Sequence, residues 1–261
     1  MKYNKPEYTK DFLIEVEKGN VAGHSIINKF GANSDVSSTF VPISEGGVYQ
    51  TPTALTSLEL LSDDNVNDKA GGIGALTVEI EGLGAGWLVQ TETITLNGTT
   101  PVASANQYYR IYRLRVVTSG TYASATSPTH SSEITLRTAS AGVTWGKIIT
   151  DNGFGLSTSE IGAFSIPQGQ TAYLLSYHLD VESNKAVDVI MFLREHADDI
   201  TSPYTGTMQA RAIKRSIAGE HWSTPHAPQF IASGPADVGF MARGVSTAKV
   251  EVEFQLLCIT N

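Results

Sequence analysis

The sequence is poor in the groups that most protein chemistry needs. It has one cysteine in 261 residues, Cys258. A single thiol makes neither an internal disulfide nor a cysteine metal cluster, so the fold is expected to be independent of oxidation. Cys258 lies in the apolar run Phe254–Ile259 and reads as a small buried hydrophobe. Charge is also scarce: 17% of residues, against roughly 25% in ordinary globular chains. Hydrophobic residues reach 41%, which excludes a disordered chain. There is no basic excess. Eighteen Lys and Arg face 26 Asp and Glu, for a net charge of −8, and a protein that grips phosphates shows a basic face. The two densest basic stretches, Arg110–Arg115 and Arg211–Arg215, alternate with apolar or small residues, as the wet face of a strand does. Nucleic acid is therefore not an expected partner. No apolar run approaches the roughly 18 residues of a membrane helix, and the first dozen residues lack the apolar core of a secretion signal. A membrane partner is not expected either.

Catalytic and metal signatures are equally sparse. There is no Gly-x-Ser-x-Gly elbow. Gly71-Gly72-Ile73-Gly74 lacks the Lys-Ser/Thr of a phosphate loop. Asp63–Asp68 echoes a calcium loop, but Asp68 and Gly74 stand where an EF-hand needs Gly and Glu, so a turn bonded to its own backbone is the expectation. His221 and His226, beside Glu220, are too few ligands for a metal centre and read as surface-loop histidines. Glu182, Asp188, Glu195, Asp198 and Asp199 form no recognisable glycosidase pair. The expectation is a chain that is not an enzyme, with no cofactor, no metal and no catalytic residue.

What is present is β-pattern. One short helix is predicted around Asp11–Lys18, with Phe12, Leu13 and Val16 on one face and Gly19-Asn20 as its stop. A helix this short is marginal alone and needs a docking surface. Val21–Asp35 reads as an extended arm. From about residue 38 strand signals dominate: Thr39–Ile43, Leu55–Leu61, the clean alternation Leu76–Leu83, Tyr108–Val117 with a bulge near Tyr112-Arg113, Glu133–Thr138, Thr171–Val181, the buried run Val187–Leu193 and the alternating Val250–Leu257. Asn97-Gly98 between Glu92–Leu96 and Thr99–Val102 predicts a type I′ hairpin, with Pro101 marking its second strand as an edge. Residues 140–163 and 195–235 read as loop-rich connections. The fold class is all-β: two β-sandwich or jelly-roll-like units behind an N-terminal arm with one short helix. The expected divisions are 1–40, the docking arm; 41–140, the first β-domain; and 141–261, a jelly-roll-like second domain.

Several segments, in order, carry a likeness. They are Gly19–Asn33, Gly46–Tyr49, Asn67–Leu83, Glu92–Val102, Tyr109–Arg113 and, in the second half, Ile166–Leu174. Together they cover over half the chain, and it resembles a group of virion-associated proteins of tailed bacteriophages, many of them marine. The resemblance carries no catalytic motif. It implies an oligomeric particle component, a homotrimer or ring, located in the virion after assembly in the host cytoplasm. The leading expectation is a capsid decoration, cement or head-fibre subunit docking through Phe12, Leu13, Val16, Val21, His24, Ile26, Ile27 and Phe30. Its partners would be further copies of itself and the major capsid protein or connector and tail proteins. The alternative is a neck, collar or tail protein, including a host-recognition fibre. There, exposed Tyr204 and Trp222 would stack on carbohydrate, although both also suit a core or an interface.

Overall fold

A computed structural model of the chain describes residues 11–151, 153–223 and 228–261. The fold is nearly all β, with one short helix near its start. Helix α1 (Phe12–Glu17) begins because the Asp11 carboxylate accepts the amides of Leu13 and Ile14 at 3.0 and 3.3 Å. It ends in a Schellman turn: Gly19 takes φ +73°, its amide donates to Val16 O, and the Asn20 amide reaches back to Glu15 O. The chain then forms β1 (His24–Val36) and the short β2 (Val41–Pro42).

The next strands are β3 (Thr56–Ser62), β4 (Ala75–Leu83), β5 (Val89–Thr95), β6 (Val102–Tyr108), β7 (Arg110–Ser119), β8 (Ile134–Thr138) and β9 (Thr144–Ile148). They make two sheets, ordered β6-β3-β8-β9 and β5-β4-β7. Leu58, Leu60, Val78, Ile80, Ile94, Leu114, Ile134, Leu136 and Trp145 fill the space between them, so this is a β-sandwich. A two-stranded connection, β10 (Thr150–Asp151) and β11 (Phe154–Gly155), follows.

The remaining strands are β12 (Ala163–Ile166), β13 (Gln170–Val181), β14 (Val187–Glu195), β15 (Gln209–Ile217), β16 (His221–Ser223), β17 (Gln229–Ser233), β18 (Ala236–Gly244) and β19 (Ala248–Thr260). One sheet runs β12-β18-β14-β15, with β2 also on β18. The other runs β1-β19-β13, and both β16 and β17 pair with the far edge of β13. Leu174, Tyr177, Leu179, Val189, Met191, Val238, Phe240, Val252, Phe254 and Leu256 pack between these two sheets as the second core.

The structure corrects four sequence expectations. Val21–Asp35 is not an extended arm: β1 pairs with β19 from His24↔Ile259 to Val36↔Ala248, and so belongs to the C-terminal sandwich. Its alternation is obscured because its inward positions do special work. Lys29 Nζ donates to Tyr112 O, Gly31 presses against Gly162 and Ile43, and Asn33 Nδ2 donates to Pro42 O at 3.0 Å.

Second, Asn97-Gly98 does not close a hairpin. Strand β5 pairs with β4 and β6 pairs with β3, so the turn carries the chain from one sheet to the other. The loop 62–68 holds it there: Gly98 N donates to Asp68 O and Ser62 N donates to Gly98 O. Third, residues 140–163 contain β9, in which Trp145 is a core residue. Fourth, residues 195–235 contain β15, β16 and β17. Most of β15 is exposed, which removed the apolar alternation that marks a strand. The bulge does occur at Tyr112, since Glu81 opposes Arg113 while Gly82 opposes Ile111. Strand β6 is the expected edge.

Candidate functional site

The sheet β1-β19-β13 buries one face and leaves the other outward. Register fixes which residues share the outward face, because side chains alternate along each strand. Phe30 on β1 opposes Glu253 on β19, which opposes His178 on β13, which opposes Trp222 on β16. These four form one transverse row. Beside it, Asn28, Gln255 and Ser176 form a second. A bulge at Leu175 restores Ser176 and His178 to the outward face after Leu174 points in. Further along lie Ile26, Leu257, Tyr173 and Phe230, and then His24, Ile259, Thr171 and Ser233.

The first two rows line a groove of about 340 Å³. Trp222 is 66% exposed, yet one face of its indole is held: the His178 ring stacks on it at 3.8 Å and 13°. Ser176 Oγ donates to Gln255 Oε1 at 3.3 Å, which orients that amide. Among the described residues, the outward groups of the groove include one carboxylate, Glu253, and no Lys or Arg. Lys29 faces inward, with its Nζ on the Tyr112 carbonyl.

The expected interface residues divide. Helix α1 packs on β1, with Val16 buried and Phe12 meeting the His24 ring edge-to-face at 5.7 Å. Phe12 and Ile14 are about half exposed and Leu13 slightly less. His24, Ile26 and Phe30 face outward, but Phe30 belongs to the Trp222 row, away from α1. Ile27 faces inward against the second core, and Val21 lies half-buried before β1. Sequence reasoning missed His178, Asn28 and Gln255. The alternation of Val250–Leu257 already placed Glu253 and Gln255 on a wet face, but only register brings Trp222 to them.

Other candidate chemistry is absorbed by the fold. Asp68 is fully buried, and its carboxylate accepts Ser62 Oγ and the amides of Ala75, Ser131 and Ser132. Asp64 accepts the amides of Val66 and Asn67. Asp64 thus serves the loop's own turn, while Asp68 ties the loop to the segments at Ala75 and Ser131–Ser132. His226 lies outside the described residues, while His221 on β16 pairs with Leu179 on β13. Tyr204 is half exposed and lies apart from the strands that form the groove. No group of three or more His, Cys, Asp or Glu among the described residues is placed to hold a metal ion.

A buried charge pair joins the two sandwiches. Arg110 on β7 donates through Nε and Nη2 to the two carboxylate oxygens of Asp237 on β18, each at 2.8 Å. Its Nη1 donates to Tyr109 O, and the Trp87 ring lies 5.0 Å from the guanidinium. Ser165 Oγ and Tyr49 OH donate to Asp237 as well. Burial, then the Asp237 charge, pushes the Tyr49 phenol well above its ordinary range.

No family model matches the chain, and no curated protein matches its sequence. Among solved structures, an insecticidal delta-endotoxin, Cry8Ea1 from Bacillus thuringiensis, aligns over 87% of this chain at 8% identity and a TM-score of 0.20. The chain spans about half of that toxin, 55%. A T=1 particle protein derived from infectious bursal virus aligns over 91% of this chain and 74% of its own, at 10% identity and a TM-score of 0.20. Likenesses at these scores carry no argument about fold or function. No helix among the described residues is long and apolar enough to cross a membrane.

Proposed function

We propose that this chain is a non-catalytic structural component of a tailed-phage virion, a capsid decoration, cement or head-fibre subunit that docks through α1 and the start of β1. The virion assignment rests on the ordered sequence likeness from Gly19 to Leu174. The observation that carries the docking mode is α1 itself. It buries Val16 alone and leaves Phe12, Leu13 and Ile14 substantially exposed around the helix. A six-residue helix does not persist on propensity in water, and an exposed apolar patch of this kind marks an interaction site. Specific interfaces bury about 1,200–2,000 Å² in total. The helix and the outward residues His24 and Ile26 form its apolar centre, and the partner is a second copy or the capsid surface.

The test is gold-labelled antibody imaging of intact particles, paired with incorporation of a Phe12→Asp, Leu13→Asp, Ile14→Asp chain. Deleting residues 1–35 is the wrong probe, since it removes the paired strand β1. Label over the head surface and loss of the triple variant from particles support the reading. Label confined to one vertex or the tail moves the partner to the neck or tail. A monomeric chain whose triple variant incorporates normally ends the docking claim.

A further inference from the structure

We propose that the groove crossed by Trp222 is a saccharide-binding site. The row Phe30–Glu253–His178–Trp222 puts an aromatic ring at each end, an imidazole locked flat against the exposed indole, and a carboxylate between. Asn28 and Gln255 add two planar amides alongside. A pyranose has a hydrogen-rich apolar face and a rim of hydroxyls. The apolar face stacks on a flat ring, and the rim pairs with amides, which both donate and accept, and with carboxylates, which accept. The groove volume, about 340 Å³, lies in the range of small-ligand sites.

The same chemistry argues against a nucleic-acid strand. Bases also stack on aromatics, but their phosphates need cations, and among the described residues the outward groups here offer Glu253 and none of Lys or Arg. The site rests on different side chains from the α1 docking surface, although the two adjoin on β1, where Ile26 and Asn28 are successive outward positions about 7 Å apart; Trp222 lies across β19 and β13, on the far side of the groove. The inference therefore does not depend on the virion reading, and either can fail without the other.

The chain supplies its own reporter. It has three tryptophans, of which Trp87 and Trp145 are buried. A change of emission on ligand addition thus reports Trp222. The experiment screens the full chain on an array of immobilised neutral and acidic oligosaccharides, then titrates the free form of each hit by fluorescence and calorimetry. The expected result is saturable binding with an emission change. Trp222→Ala should weaken it at least tenfold, Trp222→Phe should retain most calorimetric affinity, and Gln255→Ala should weaken it severalfold, all with unchanged melting temperature. The proposal is overturned if no oligosaccharide is bound by the wild type, or if binding is equal in wild type and Trp222→Ala. A Trp222 that iodide fails to quench in the free protein also overturns it, because the face is then covered by another copy.

Discussion

Arg110 and Asp237 form a two-pronged ion pair, 1% and 0% exposed, across the junction of the two sandwiches. Each charge has left water, and the pair is tolerated because its donors and acceptors are almost fully used, by Tyr109 O, Ser165, Tyr49 and the Trp87 ring. Such a pair adds little net stability over a packed apolar replacement, but breaking it strands a charge. Asp237→Ala should cost about 3–5 kcal/mol. Arg110→Met with Asp237→Leu should recover much of that loss. Urea denaturation of the three chains checks it, and equal losses in single and double variants would refute the account.

Gly31 has no room for a side chain. A Cβ there would lie 2.2 Å from Gly162 N and 2.3 Å from Ile43 O, both backbone atoms that cannot swing aside. Gly31→Ala should therefore force β1 away from the segments at Ile43 and Gly162. The expected loss is at least about 3 kcal/mol, the upper end of overpacking costs, read as a fall in the urea midpoint. Gly153→Ala serves as the contrast: its Cβ would meet nothing within 4 Å among the described residues, although its φ of +82° still disfavours alanine, and it should cost about 1 kcal/mol.

Glu160 is raised to about 7, first by burial and then by Glu45 and Glu251, with Lys249 opposing. The folded state thus holds this proton more tightly than the unfolded chain does. Below the unfolded value of 4.5 both states are protonated and the group contributes nothing to the pH dependence. From there up to about 7, rising pH costs stability, and the full cost persists above. Glu160→Gln should accordingly raise the melting temperature at pH 8 and leave it nearly unchanged at pH 4.

Lys29 shows the opposite sign. Burial, then Arg113, lowers its ammonium to about 7, while Glu81 pulls the other way. Between about 7 and the ordinary 10.5 the unfolded chain binds the extra proton, so stability rises with pH across that window. The gain in melting temperature from pH 7 to pH 10 should be larger for the wild type than for Lys29→Met. Equal gains would show that Lys29 titrates normally.

Cys258 should be inert in the folded chain. It is buried, and burial pushes its thiol up to about 12. The thiolate is the reactive form, so a disulfide reagent at pH 8 should label it only at the rate of unfolding. Prompt labelling of native protein would contradict this.

The strands with one dry face were legible because alternation is a direct imprint of burial. Val250–Leu257 and Val187–Leu193 fell where they were expected. Strand β1 was hidden because its inward positions hold Lys29, Gly31 and Asn33, chosen for a carbonyl, a close approach and an amide contact. The Asn97-Gly98 turn misled for a related reason. Turn chemistry fixes only the local bend, and whether the flanking strands then pair or part depends on the loop around Asp68. The groove was half legible. Trp222 and the wet face of β19 could be named, but their meeting is a matter of register across four strands, which no local pattern encodes.

One consequence of the β1–β19 pairing is mechanical. Because His24 opposes Ile259, the entry to the C-terminal sandwich and its exit leave from the same end of the same sheet. Tension applied between these two points would peel the strands apart one hydrogen-bonded step at a time, the weakest direction for an antiparallel pair. Tension between α1 and the loops at the opposite end of that sheet would load the ladder in parallel and meet far greater resistance. A fusion partner placed after Asn261 would sit beside α1 and crowd the docking surface, so cargo is better carried on the β13–β14 turn around Asn184, at the opposite end of the sheet, where Val181 opposes Val250.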